Sequence, residues 1–342
     1  MDYGKLIKRA WQITWKHKIL WVFGFLVALL GGAGWGRGGT GLRYTFSGAD
    51  WDRMLRMWPR HMRPDTWYNW RALPGVDLSG LTGIAVAGLV LVGLVLAIAS
   101  LLVRYSSIGA MIGYTDDVEE GRSARFGSGF RLGWSRVLRL IAIDLLLVLA
   151  TLLAGLVILI VMALGAAIVA GPLALIGTDA GAATVLAVLW AVIAGLAPVF
   201  VYIAVLIALT GLVSIVREHA FRACILDLKG VRPSIRAAVD LVKRRFRASL
   251  GTWLVLAGIG LALSVVAVPV SMLGLGSLAL PSLAIRGMTD SNPAALAVAI
   301  PFVLLAITTV LLVGGVYIVF QSVVWTLAWR ELTAPAELLE EV

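Results

Sequence analysis

Marked as apolar and polar positions, the chain alternates long apolar runs with short basic stretches. Six runs read as membrane-spanning helices: Ile19–Gly34, Leu81–Val103, Leu140–Ala170, Ala183–Val216, Leu250–Leu273 and Ala294–Ala328. A helix satisfies its backbone hydrogen bonds within one segment, which a barrel strand cannot do, so runs this long predict helices. The third, fourth and sixth exceed the ~20 residues of a straight crossing, which predicts tilt or extension beyond the bilayer. The pattern therefore describes an all-α, polytopic membrane protein with one integral domain over residues 1–342.

The basic stretches carry a finer pattern. Without gaps, Ile7–Lys16 (IKRAWQITWK) aligns with Phe130–Arg139 (FRLGWSRVLR) and Ile235–Arg244 (IRAAVDLVKR). Each begins with a large apolar residue (Ile7, Phe130, Ile235) and a cation (Lys8, Arg131, Arg236). A small residue follows (Ala10, Gly133, Ala238), then a large apolar one (Trp11, Trp134, Val239) and a closing cation (Lys16, Arg139, Arg244). Offsets of 123 and 105 residues divide the chain into near-thirds, each with one such segment and two apolar runs. This predicts three direct repeats, about 1–121, 122–230 and 231–342, of one amphipathic helix plus two spans. Two-span units keep their orientation, so all three amphipathic helices should lie on one side of the membrane. The junctions DDVEEGR (Asp116–Arg122) and DLKGVR (Asp227–Arg232) also agree, and Gly121 and Gly230 suit the position just past a helix end.

The third segment shows the periodicity best. Ile235, Ala238, Val239, Val242 and Phe246 form one helical stripe, while Arg236, Asp240, Lys243 and Arg247 lie off it. Pro233 and Ser234 suit a helix start. Such a helix is expected in the membrane interface, apolar face down and basic face toward lipid phosphates.

Charge sets the orientation. With the N-terminus inside, the inner segments hold 21 Lys/Arg and the outer ones 8, which predicts cytoplasmic N- and C-termini. The seven Arg of the first outer loop, Trp35–Ser79, pull the other way without reversing that balance. The net charge of +10 then points to the anionic face of a cell membrane rather than to nucleic acid. Lys8, Lys16, Arg131, Arg139, Arg236, Lys243, Arg244 and Arg247 are the candidate contacts to anionic phospholipid. Composition agrees, with 60% hydrophobic and 14% charged residues, more apolar surface than a soluble domain of this size can bury.

Catalytic chemistry finds little support in the pattern. One cysteine, Cys224, excludes an internal disulfide, and His17, His61 and His219 stand too far apart for metal-ligand spacing. HExxH, GxSxG and phosphate-loop motifs are absent, and no cofactor is implied. Asp144 and Gln321 are the polar candidates within the spans. Asp144 lies five residues past Arg139, about 7.5 Å along a helix, which puts it near the headgroups. Two readings stay open for it: a buried, hydrogen-bonded structural carboxylate, or a proton or substrate site. Pro198, Pro269 and Pro301 mark packing kinks or, in a transporter, broken helices. Gly109–Gly113 and Gly129–Gly133 are GxxxG pairs outside the centre of any apolar run, and so weak as dimer motifs.

The outer loop holds five of the thirteen Trp, and Trp51, Met54, Leu55 and Trp58 make a helical stripe between Asp50 and Pro59. Trp51 and Trp58 are expected as anchors in the outer interface, with a partner-binding lid as the alternative role of residues 35–79. The opening KLIKRAWQITWKHKILWVFGFLVALLGG (Lys5–Gly32) has the outline of an export signal. Its internal relatives at Phe130 and Ile235 instead make it the first of the three repeats.

The segments AWQITWKHKILW (Ala10–Trp21), GFRLGWSRVLRL (Gly129–Leu140) and Arg217–Trp253 resemble a loose group of bacterial six-span proteins. That group includes the membrane domain attached to some glycerophosphoryl diester phosphodiesterases. The resemblance implies an all-helical protein of the cell membrane, and no catalytic position carries over. Outside the spans the longest stretch is the 45-residue outer loop, too short for a phosphodiesterase barrel. The expected function is that of a non-enzymatic scaffold, accessory subunit or lipid-interacting membrane domain. The alternative is a transporter component resembling an ABC-exporter permease, which pairs a cytoplasmic elbow helix with six spans.

Overall fold

The computed structural model describes residues 2–30, 79–170, 182–289 and 292–334. Among them every regular element is a helix: α1 (Tyr3–Lys16), α2 (Ile19–Leu30), α3 (Ser79–Glu119), α4 (Phe126–Ala170), α5 (Ala182–Ile225), α6 (Val231–Arg244), α7 (Phe246–Thr289) and α8 (Asn292–Thr333). Five contain segments long and apolar enough to cross a membrane, and α1 with α2 forms a sixth candidate bent by 95°. The protein is thus an all-helical, multi-pass membrane protein. The outer loop, with Trp51 and Trp58, lies outside the described residues.

Each of the five long helices has 41 to 45 residues, more than twice what a bilayer crossing needs. The apolar runs cover only part of each helix. At one end α3, α4 and α5 continue for several turns as polar or amphipathic helix and α7 and α8 for about one, and four contacts gather those ends. Arg9 reaches Glu119, Arg330 reaches Asp116, Arg136 donates to the Leu228 carbonyl, and the Tyr3 hydroxyl donates to the Ala248 carbonyl. The core sits there too. Buried side chains cluster over residues 105–115 of α3, 137–147 of α4, 215–225 of α5 and 317–332 of α8. Farther along, Leu89–Ile98, Leu152–Leu164 and Val199–Ile207 present broad apolar surface, which a bilayer covers and water would not.

α3, α5 and α8 touch one another, and the remaining long elements surround them. α2 packs between α3 and α8, α4 between α3 and α5, and α7 against α8 with a slight contact to α5. The amphipathic helices rest on the inner three: α1 on α8, α6 on α5, and the start of α4 on α3.

Two crossings depend on glycine. A Cβ on Gly133 would stand 2.1 Å from the Ser106 carbonyl oxygen, and one on Gly109 would stand 2.8 Å from Gly133 Cα. The two GxxxG pairs therefore face each other within one chain, bringing the backbones of α3 and α4 together. The crossing of α2 and α8 is similar, with a Gly24 Cβ falling 2.3 Å from the Gly315 carbonyl oxygen. Both internal prolines of α5 and α8, Pro198 and Pro301, sit in continuous helix, so neither span is broken there.

α1 and α6 are discrete 14-residue helices ending at the aligned residues Lys16 and Arg244. The middle segment differs, because Phe126–Ala170 is one uninterrupted helix. The aligned residue after the break is polar in the outer copies, His17 and Arg245, but is Leu140 in the middle one. Leu140 continues the buried stripe of Val137, Ile143 and Leu147, so one face stays packed and no corner forms.

Local chemistry builds the α1–α2 corner. The Asp2 carboxylate caps the N-terminus by accepting from the Gly4 and Lys5 N–H groups. At the other end the Trp21 indole donates to the Thr14 carbonyl at 2.8 Å, satisfying an acceptor the bend would leave open. Gly121 takes φ +68°, with Arg122 N–H donating to Asp117 O and Gly121 N–H to Val118 O, the expected glycine cap. Gly230 departs from expectation. Its φ is −73° and it is the N-cap of α6, while Leu228 holds the left-handed φ of +57° past α5. The short link must both close α5 and start α6, and its turn falls two residues before the glycine.

Candidate functional site

The described residues hold three polar assemblies, all at the end where the core lies. The first is an ionic chain through the bundle. Asp144 on α4 accepts from the Tyr105 hydroxyl on α3 and faces Arg217 on α5 at 3.5 Å. Arg217 also faces Glu218 at 3.5 Å. Glu218 pairs with Arg222 at 2.9 Å, and Arg222 donates to the Ser322 carbonyl on α8 at 3.0 Å. Asp144 and Arg222 are buried. Removing such charges from water is costly unless opposite charge and hydrogen bonds surround them, and here both do. Asp144 is thus a buried, hydrogen-bonded carboxylate that joins α3, α4 and α5 at the level of the span ends Val103 and Val216. The position of Arg217, one residue past a span, was the signal available in the sequence.

Gln321 has a local role. Its amide donates to the Tyr317 hydroxyl at 3.0 Å, which donates to the Leu256 carbonyl on α7 at 3.1 Å. That hydroxyl lies against Gly260, where a Cβ would stand 2.4 Å away. Asp144 and Gln321 belong to separate contact sets. Among the described residues no three His, Cys, Asp or Glu side chains gather in a metal-holding group.

The second assembly offsets an awkward charge distribution. Asp116, Asp117, Glu119 and Glu120 crowd the C-terminus of α3, the end of a helix dipole that disfavours anions. Three arginines from three elements answer them. Arg9 of α1 pairs with Glu119 at 2.9 Å. Arg122 of the turn pairs with Asp116 at 3.0 Å and Asp117 at 2.8 Å and also contacts Glu120. Arg330 of α8 pairs with Asp116 at 2.5 Å. The Asp117 hydrogen bond, ahead of the other carboxylates, raises the Arg122 pKa above its ordinary value.

The third assembly is a cavity of about 760 Å³ between α1 and the turn after α3. Its polar lining is Arg9, Gln12, Lys16, His17, Tyr114 and Arg122, and among the described residues no carboxylate lines it. Trp15, Ile13, Val118 and Ala124 form its apolar wall. The His17 ring nitrogen Nδ1 and the Tyr114 hydroxyl are 3.4 Å apart. Partial burial first, then Lys16 and Arg9, lower the His17 pKa from 6.5 and favour its neutral form. Of its polar lining, Lys16 alone was a candidate contact read from the sequence.

All eight candidate lipid contacts, Lys8, Lys16, Arg131, Arg139, Arg236, Lys243, Arg244 and Arg247, are exposed, and none makes an ion pair among the described residues. The apolar stripe of α6 is spent on the protein: Ala238 and Val242 are buried, and Ile235 and Val239 pack on the core against α5. Phe246 leaves the stripe because α6 ends at Arg244, and it begins α7 instead. On α1 the inward face is Leu6, Ala10 and Ile13, while Trp11 and Trp15 stay about half exposed, at 54% and 45%. Comparison with known proteins gives no match to a family model, to a curated protein or to a solved structure.

Proposed function

We propose that this is a non-enzymatic protein of the cell membrane that binds the anionic cytoplasmic leaflet and serves as a scaffold or accessory subunit. The observation carrying this reading is the set of eight exposed cations without ion-pair partners among the described residues, gathered where the amphipathic helices lie. The neighbouring acidic cluster is already taken by Arg9, Arg122 and Arg330. A cation near an anionic surface contributes about 1 kcal/mol, so several together give a firm, salt-sensitive hold. Exposed Trp11 and Trp15 fit the same interface depth. The excess of Lys/Arg at this end supports cytoplasmic termini.

Three repeats remain our account of the architecture. It is supported by the matched ends of α1 and α6 and by the way each amphipathic segment rests on one of α3, α5 and α8. The resemblance to the six-span group is consistent with this reading and adds no activity.

The test replaces Arg236, Lys243, Arg244 and Arg247 together with Gln and measures lipid preference in nanodiscs of mixed charge. A loss of enrichment for anionic lipid is expected. Unchanged enrichment would sink the leaflet-binding reading.

A further inference from the structure

The cavity beside α1 has properties that a diffuse basic surface lacks. Its volume lies within the range of small-ligand sites, and its walls carry cations without a lining carboxylate. The cations are not equally committed. Arg122 spends Nε, Nη1 and Nη2 on Asp117, Glu120 and Asp116, so it contributes field rather than free donors. Among the described residues Arg9 meets Glu119 through Nε alone, which leaves both terminal nitrogens for another acceptor. Lys16 makes no ion pair among the described residues, and Gln12 and Tyr114 add an amide and a hydroxyl. Forked guanidinium donors, an ammonium and neutral hydrogen bonders are the set that holds a phosphate group. The apolar wall of Ile13, Trp15, Val118 and Ala124 suits the carbon skeleton of a phosphate ester better than bare phosphate.

We infer that this cavity binds the phosphate group of a phosphate ester, with Arg9, Lys16, Gln12 and Tyr114 as ligands and Arg122 as supporting charge. Half-exposed Trp15 in its wall, with Trp11 packed against Trp15 at 5.5 Å between ring centres, makes an anionic phospholipid headgroup the fitting source, so the inference deepens the leaflet-binding reading while sharing only Lys16 with its residue set. His17 faces Lys16 and Arg9 of α1 and Tyr114 of α3, and an anion there would favour its protonated form.

The experiment follows the His17 ring signal by NMR in the full chain in neutral detergent. The probes are short-chain phosphatidylglycerol, glycerol phosphate, inorganic phosphate and sodium chloride. A saturable shift with the lipid, at least tenfold tighter than with the soluble phosphates, is expected and assigns the source to the headgroup. Equal affinity for glycerol phosphate keeps the phosphate site and assigns it to a soluble ester. Lys16→Glu should weaken the response at least tenfold. Tyr114→Phe, which leaves every charge in place, should weaken it several-fold. No saturable shift with any phosphate, or a shift that sodium chloride reproduces, would overturn the inference. The Gln variant of Arg236, Lys243, Arg244 and Arg247 keeps the cavity intact, so the two readings fail separately: it should lose bulk lipid enrichment and retain the His17 response.

Discussion

The closest approach of two helices, at Gly133, gives the sharpest test of the packing. Replacing Gly133 with Ala adds one carbon that would lie 2.1 Å from the Ser106 carbonyl oxygen and 2.8 Å from the Ala110 nitrogen. Real Cβ atoms do not approach within 3.0 Å, so α3 and α4 must part locally by roughly 0.9 Å. Both obstacles are backbone, and no side chain can swing aside. Overpacking of this kind costs about 1–3 kcal/mol, and rigid neighbours put Gly133→Ala near the upper end. Ala recovers about 1 kcal/mol of helix propensity, leaving a net loss of about 2 kcal/mol. Cys224, the one cysteine, is buried in the described structure and can report unfolding to a thiol-reactive dye. Heating in detergent should show dye uptake several degrees lower in Gly133→Ala. Gly93→Ala is the control, because a Cβ there meets nothing within 4 Å. If Gly133→Ala melts no lower than Gly93→Ala, the close crossing is wrong.

Three further outcomes are expected. Leu228→Gly should stabilise by about 0.5–1 kcal/mol in the same melting assay, because Leu228 holds φ +57° and only its backbone carbonyl receives Arg136. Asp144→Asn should destabilise by about 3 kcal/mol, at the low end for a broken buried pair because Glu218 still faces Arg217; an unchanged melting point would dismiss the ionic chain as a fastener. His17 has a folded pKa below its unfolded 6.5, so the unfolded chain binds more protons as pH falls through 6.5. Stability should drop between 6.5 and the lower folded value and level off below it, and a His17→Gln variant should lose that component of the pH profile.

The repeated segments show what could be read early and what could not. Their alignment anticipated three amphipathic helices, of which two are discrete with matching ends, since amphipathic period and closing cation are local features. It missed the fusion of the middle copy into α4, which follows from Leu140 joining a buried stripe rather than ending one. The glycine pairs were visible but undervalued. Spacing places Gly109 and Gly113 on one helix face, yet nothing in the sequence turns that face toward Gly129 and Gly133. Gly121 was legible as a cap, whereas Gly230 was misplaced because two helices share its short link.

The sequence by itself determined the all-helical membrane class, the approximate middles of the spans and the basic character of one end. Those follow from transfer of apolar side chains into lipid and from helix periodicity, and each is settled residue by residue. Tertiary structure decided which charges are spent and which remain. Arg9, Arg122 and Arg330 looked like three more surface cations and are bound to the acids of α3. Lys16 looked like Lys8 and instead lines a cavity with Tyr114, 98 residues away. Pairing depends on the rotation and crossing of whole helices, and many distant contacts set those together.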